Sequence, residues 1–75
     1  MAYDQEIDAT GLLCPLPVLK TAKRMRGMVP GQTLLLRADD PAAIVDVPHY
    51  CTESGNELVS ASEAGGIQIY VIKRV

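Results

Sequence analysis

The chain has 75 residues, a formal net charge of −2 from seven basic and nine acidic residues, and 48% hydrophobic content. That length gives one small domain, residues 1–75, burying about 60% of its unfolded surface, with room for one core and one site but not for a separate substrate domain. The hydrophobic content excludes a disordered chain, and the charge gives no general attraction to nucleic acid.

Tyr3, Gln5, Ile7 and Ala9 alternate with Asp4, Glu6 and Asp8, the period-two pattern of a strand with one packed and one wet face. Thr10-Gly11 ends it. From Pro15 the apolar positions Val18, Ala22, Met25 and Val29, widened by Leu19, predict an amphipathic helix to about Gly27. Met25 and Met28 read as core filler. Pro30-Gly31 marks a turn, and Gln32 to Ala38 reads as a central strand because Leu34-Leu35-Leu36 suits burial on both faces. Asp40 then predicts a cap and Pro41 the first position of a second helix ending at Ser54. Ile44, Val47 and Cys51 share a face of it, which makes Cys51 a buried, inert thiol. Pro48 predicts a bend or break inside that helix. His49, the only histidine, sits beside it with no visible orienting partner and reads as a surface or capping residue. Gly55-Asn56 closes the helix. Glu57 to Glu63 and Ile67 to Arg74 read as two further strands joined by the tight turn Ala64-Gly65-Gly66. The order βαβαββ predicts an α+β fold: a two-layer α/β sandwich with both helices on one face of a four-stranded mixed sheet.

The chemistry concentrates in Gly11-Leu12-Leu13-Cys14-Pro15-Leu16-Pro17, where the first strand turns into the first helix. Pro favours the first helical position, so Cys14 reads as the N-cap, its sulfur facing the positive end of the helix dipole, which lowers a thiol's pKa. Proline at 15 and 17 removes two amide donors, so the thiolate is expected to depend on the dipole more than on direct hydrogen bonds, and Pro17 acts as a stiffener. Four of the seven basic residues, Lys20, Lys23, Arg24 and Arg26, lie on this helix with no acid among them. They form either a solvated face or a docking face for acidic protein partners or a tRNA-handling complex. Cys14 and Cys51 show no metal-ligand spacing, and neither a metal nor a cofactor is expected. Gly65-Gly66 lacks the Lys-Ser/Thr of a phosphate loop. The longest apolar runs are too short for a bilayer and the N-terminus is acidic, so a cytoplasmic protein without membrane contact is expected.

Gly11-Leu12-Leu13-Cys14-Pro15-Leu16-Pro17-Val18, Pro30-Gly31, Ala38-Asp39-Asp40-Pro41-Ala42 and Asp46-Val47-Pro48-His49-Tyr50-Cys51 together resemble the TusA/SirA family of small sulfur carriers, with Cys-Pro-x-Pro as the specific motif. The resemblance implies the same βαβαββ sandwich and a persulfide carried on Cys14, with Gly11, Pro15 and Pro17 as its support. It implies a cysteine desulfurase or another sulfurtransferase as donor and a downstream sulfur-acceptor protein, with no direct binding to nucleic acid and a monomeric carrier. Members of the tRNA-thiolation branch have a basic residue before the cysteine and an acidic one between the prolines, whereas this chain has Leu13 and Leu16. These two, with Lys20, Lys23 and Arg24, are the expected partner-binding residues, and delivery for tRNA 2-thiolation, molybdenum-cofactor assembly and sulfur oxidation all remain open. Two other classes fit the residues: a non-catalytic regulatory or interaction module using the basic first helix, and a redox sensor joining Cys14 to Cys51.

Overall fold

The structure, a computed structural model, describes residues 3–75. Its elements are β1 (Gln5–Asp8), α1 (Leu16–Arg26), β2 (Thr33–Ala38), α2 (Ala43–Ser54), β3 (Glu57–Ala64) and β4 (Ile67–Lys73). The expected order βαβαββ is present, and the strands form one mixed sheet, β1-β2-β4-β3. β1 pairs parallel to β2, whereas β4 is antiparallel to both β2 and β3.

Register explains which side chains meet the helices. Ile7 lies opposite Leu36, Leu36 opposite Tyr70, and Leu34 opposite Ile72, so these residues share the face on which both helices pack. Met25 near the end of α1, Met28 just beyond it, and Val47 and Cys51 from α2 close the same cluster. The three leucines of β2 are all buried, as their unbroken apolar run predicts, with Leu35 on the opposite face beside Val71. Gly65 and Gly66 both take positive φ in the β3–β4 hairpin, where a side chain would be strained. A bulge between Leu58 and Ser60 interrupts β3, which is an edge strand and largely exposed.

Both helices are rotated from their sequence reading. In α1 the buried positions are Pro17, Thr21 and Met25, whereas Leu19 and, beyond its end, Val29 are exposed. Thr21 can be buried because its hydroxyl donates to the Pro17 carbonyl at 2.8 Å, which satisfies its polar group. In α2 the buried stripe is Ala43, Val47 and Cys51, at i, i+4 and i+8, and Ile44 lies outside it, 54% exposed. The helix runs from Ala43 instead of Pro41, because Pro41 and Ala42 form a preceding turn, and it continues through Pro48 to Ser54. At the end of α1, the Arg74 guanidinium donates to the Met25 carbonyl at 2.6 Å, so the C-terminal segment closes the first helix.

The rotation is testable by urea denaturation. Met25→Ala is expected to cost about 2–5 kcal/mol through lost burial and a residual cavity. Leu19→Ala, which the sequence stripe placed inside, is expected to change stability by no more than about 0.5 kcal/mol.

Candidate functional site

Two loops, one leading from β1 into α1 and the other from β2 into α2, meet at the end of the sheet. The first is turned by Asp8, whose carboxylate accepts the Thr10 amide at 3.0 Å and the Thr10 hydroxyl at 2.6 Å. Those bonds favour the charged form and hold the Asp8 pKa below the usual carboxylate value. Gly11 follows with φ +81°, a conformation that favours glycine, and its N–H donates to the Asp39 carboxylate at 3.0 Å. Three residues on, the Cys14 N–H donates to Asp40 Oδ2 at 2.6 Å. Adjacent acids of the second loop therefore hold both ends of the Gly11–Cys14 segment.

Asp40 is itself fixed from below. Only 9% exposed, it accepts the Ala42 N–H on Oδ1 at 3.2 Å, and its main-chain carbonyl accepts the Gln68 side-chain amide at 2.9 Å. The other end of Gln68 accepts the Tyr70 hydroxyl at 2.6 Å. A line of hydrogen bonds thus runs from Tyr70 in the core through Gln68 and Asp40 to the backbone of Cys14. Burial, with the charge of Glu63, pushes the Tyr70 hydroxyl pKa up, so the tyrosine remains a donor through neutral pH.

Cys14 lies one residue further from the helix than the N-cap position expected for it. α1 begins at Leu16, Pro15 is the N-cap residue, and the Cys14–Pro15 peptide bond is cis. The expected dipole activation is reversed as well. Cys14 Sγ donates to Asp46 Oδ2 at 2.7 Å, and this hydrogen bond, with desolvation and the charges of Asp46 and Asp40, pushes the thiol pKa up. A carboxylate in direct contact outweighs the partial charge of a helix end. Nothing in local sequence signalled Asp46, which is 32 positions away from Cys14 and reads on its own as an acid favoured in the first turn of α2.

The sulfur is accessible. Cys14 is exposed, whereas Cys51 is 3% exposed, and burial pushes the Cys51 thiol pKa up, as suits the inert role expected for it. Cys14 lines a shallow groove of about 340 Å³ with Pro15, Val18, Asp46, His49, Tyr50 and Glu53. His49 pairs with Glu53 at 3.4 Å, and the side chain that meets the sulfur is Asp46. Pro15 is exposed beside the thiol, whereas Pro17 is fully buried at the start of α1.

Leu13, just before the motif, and Leu16, between its prolines, are 69% and 46% exposed, and the Leu16 N–H donates to the Leu13 carbonyl at 2.9 Å. The basic residues open elsewhere: Lys20, Lys23 and Arg24 line a separate groove of about 400 Å³ with Ile7 and Gly27. Arg24 is also tied to β1, donating to the Gln5 side chain at 3.0 Å. Among the described residues no group of three His, Cys, Asp or Glu side chains could hold a metal ion, and no helix is long and apolar enough to cross a membrane.

Residues 5–74 match the family model of the sulfurtransferase TusA. The chain belongs to the TusA family. It is 42% identical over 72 residues to the sulfur carrier protein TusA of Allochromatium vinosum, covering 96% of this chain and 95% of that protein. Its fold is similar to the crystal structure of a SirA-like protein from Desulfitobacterium hafniense, with a TM-score of 0.81 at 20% identity over 92% of this chain and 95% of that one. These similarities extend across almost the whole TusA-like chain, and both hairpin strands are included in the family match.

The clamp on the motif predicts a local phenotype. Asp40→Ala leaves the Cys14 and Ala42 N–H groups without their carboxylate partner and is expected to cost about 1–3 kcal/mol. Hydrogen exchange should accelerate at Cys14 and Ala42 by more than the loss of global stability explains, with β2 and β4 amides tracking the global change.

Proposed function

We propose that this TusA-family protein is a sulfur carrier that holds sulfane sulfur as a persulfide on Cys14. The observation that carries the reading is the position of Cys14: the exposed thiol of the pair, in the Cys-Pro-x-Pro motif, at a corner that another protein can reach. The relationship to the Allochromatium vinosum sulfur carrier supports it.

The chemistry is thiol exchange. The Cys14 thiolate attacks the outer sulfur of a donor persulfide; a bond forms between Cys14 and that sulfur, the donor's S–S bond breaks, and its electron pair leaves with the donor thiolate. The acceptor's thiolate then attacks the same outer sulfur and releases Cys14 as a thiolate. The number of S–S bonds is unchanged in each step, so no external oxidant or reductant enters. Rates depend on thiolate fraction, leaving group and access, and an open corner supplies the last of these. Gly11 and Pro15 shape the corner, and Pro17 fixes the helix behind it.

The donor is a cysteine desulfurase or another sulfurtransferase, and the recipient is a downstream sulfur-acceptor protein. Leu13 and Leu16 form an apolar rim beside the sulfur and select among these proteins, with Lys20, Lys23 and Arg24 offering a second, basic contact area. The carrier acts as a monomer in the cytoplasm and does not bind nucleic acid directly; its two unpaired cysteines suit a reducing compartment.

Incubation with a cysteine desulfurase and cysteine is expected to add one sulfur atom to the intact mass, removable by a reductant. Cys14→Ser should abolish the addition, and Cys51→Ser should leave it. Retention of the added sulfur by Cys14→Ser, or no addition to the wild type with several sulfurtransferase donors, overturns the reading.

A further inference from the structure

The contact between Cys14 and Asp46 is poorly suited to a nucleophile at rest. A thiol becomes a strong nucleophile as the thiolate, yet here its sulfur donates to a carboxylate at 2.7 Å. A second carboxylate, Asp40, lies behind the same loop and adds its charge. The groups around the groove do not offset them. The cysteine loop contributes Pro15 and α1 contributes Val18, while α2 contributes Tyr50, His49 and Glu53. The lysines of α1 and Arg24 open into the other groove. Among the described residues Arg37 pairs with Glu6 and the His49 ring lies 3.4 Å from Glu53, and neither contact includes Asp46.

We propose, building on the carrier reading, that Asp46 gates Cys14: in the free protein its carboxylate keeps the sulfur as the unreactive thiol, and a docking sulfur-donor protein releases it by pairing a cationic side chain with Asp46. Attack requires the proton to leave Cys14 for solvent and a negative charge to appear on Sγ. Beside an unpaired carboxylate that charge is opposed, and beside a carboxylate paired with Lys or Arg it is tolerated. Three apolar residues close in sequence to Cys14 and Asp46, namely Leu13, Leu16 and Val45, are 46–70% exposed. Covering them on docking would lower the local dielectric and strengthen the pairing. Small electrophiles and polysulfides bring no such cation and meet the closed form.

Asp46→Asn removes the charge and leaves the backbone of α2 in place. At pH 7 its Cys14 is expected to react with iodoacetamide about threefold faster or more than wild type, followed by peptide mass spectrometry so that Cys51 is read separately. The pH profile of that reaction should move to lower pH, and Asp46→Glu should restore the slow rate. Loading by inorganic polysulfide, in which the Cys14 thiolate takes a sulfur and a shorter polysulfide leaves, should be accelerated similarly. Loading by a persulfidated cysteine desulfurase should gain nothing or slow down, because the docking contact is lost. An unchanged or lower iodoacetamide rate in Asp46→Asn overturns the gate. An equal gain with desulfurase and polysulfide overturns the cation supplied by the partner. Failure of every protein donor to load the wild type overturns the carrier reading and the partner half of the gate, while the iodoacetamide ratio still decides the intramolecular half.

Discussion

The functional end of this fold depends on one buried acid. Asp40 accepts the Cys14 amide and the Ala42 amide on its carboxylate and the Gln68 side-chain amide on its carbonyl, so a single residue joins the cysteine loop, the turn before α2 and the start of β4. Charge-assisted bonds to backbone N–H groups are among the stronger hydrogen bonds available to a protein. The sheet supplies the platform: β1 and β2 are adjacent and parallel, so their C-terminal ends emerge side by side and the two loops that follow them meet. Asp39, bonded to the Gly11 amide, completes the connection.

From this arrangement comes a division of labour around the sulfur. Carboxylate contacts from Asp39 and Asp40 to the backbone hold the loop that carries Cys14, and the side-chain contact from Asp46 pushes the Cys14 thiol pKa up. Exposed leucines stand on either side of the Cys14-Pro15 step, and Lys20, Lys23 and Arg24 of α1 open into a groove of their own. A small domain has little core to spare for an enclosed active site. Exchange between sulfurs asks for access and a controlled charge state, both of which can be met at a surface corner.

Much of this was legible in the residues because the signals were periodic or conformational. Alternation in β1, the leucine run of β2, the Gly65-Gly66 hairpin and the X-Pro steps before both helices gave the element order, and the Cys-Pro-x-Pro motif gave the cysteine. The helix faces were harder to read. Thr21 and Pro17 hardly count as core residues by type, yet the Thr21 hydroxyl is satisfied locally by the Pro17 carbonyl, so both enter the core and turn Leu19 outward. Ala43 displaces Ile44 in α2, with the smaller side chain in the buried position. The charge environment of Cys14 was not legible, because the dipole argument uses neighbours in sequence and the deciding carboxylate arrives from another helix.

The line from Tyr70 through Gln68 and Asp40 to Cys14 has a consequence for how this protein tolerates change. Gln68 and Tyr70 lie in β4, the last strand of the chain, packed in the interior and far in sequence from the motif. In a larger protein such residues would be insulated from the chemistry by layers of packing. Here one side chain separates the Tyr70 hydroxyl from the residue that positions the cysteine, so the middle of β4 is at once the floor of the core and the far end of the reactive corner. A substitution there that costs little overall stability can still shift the corner at which Cys14 stands.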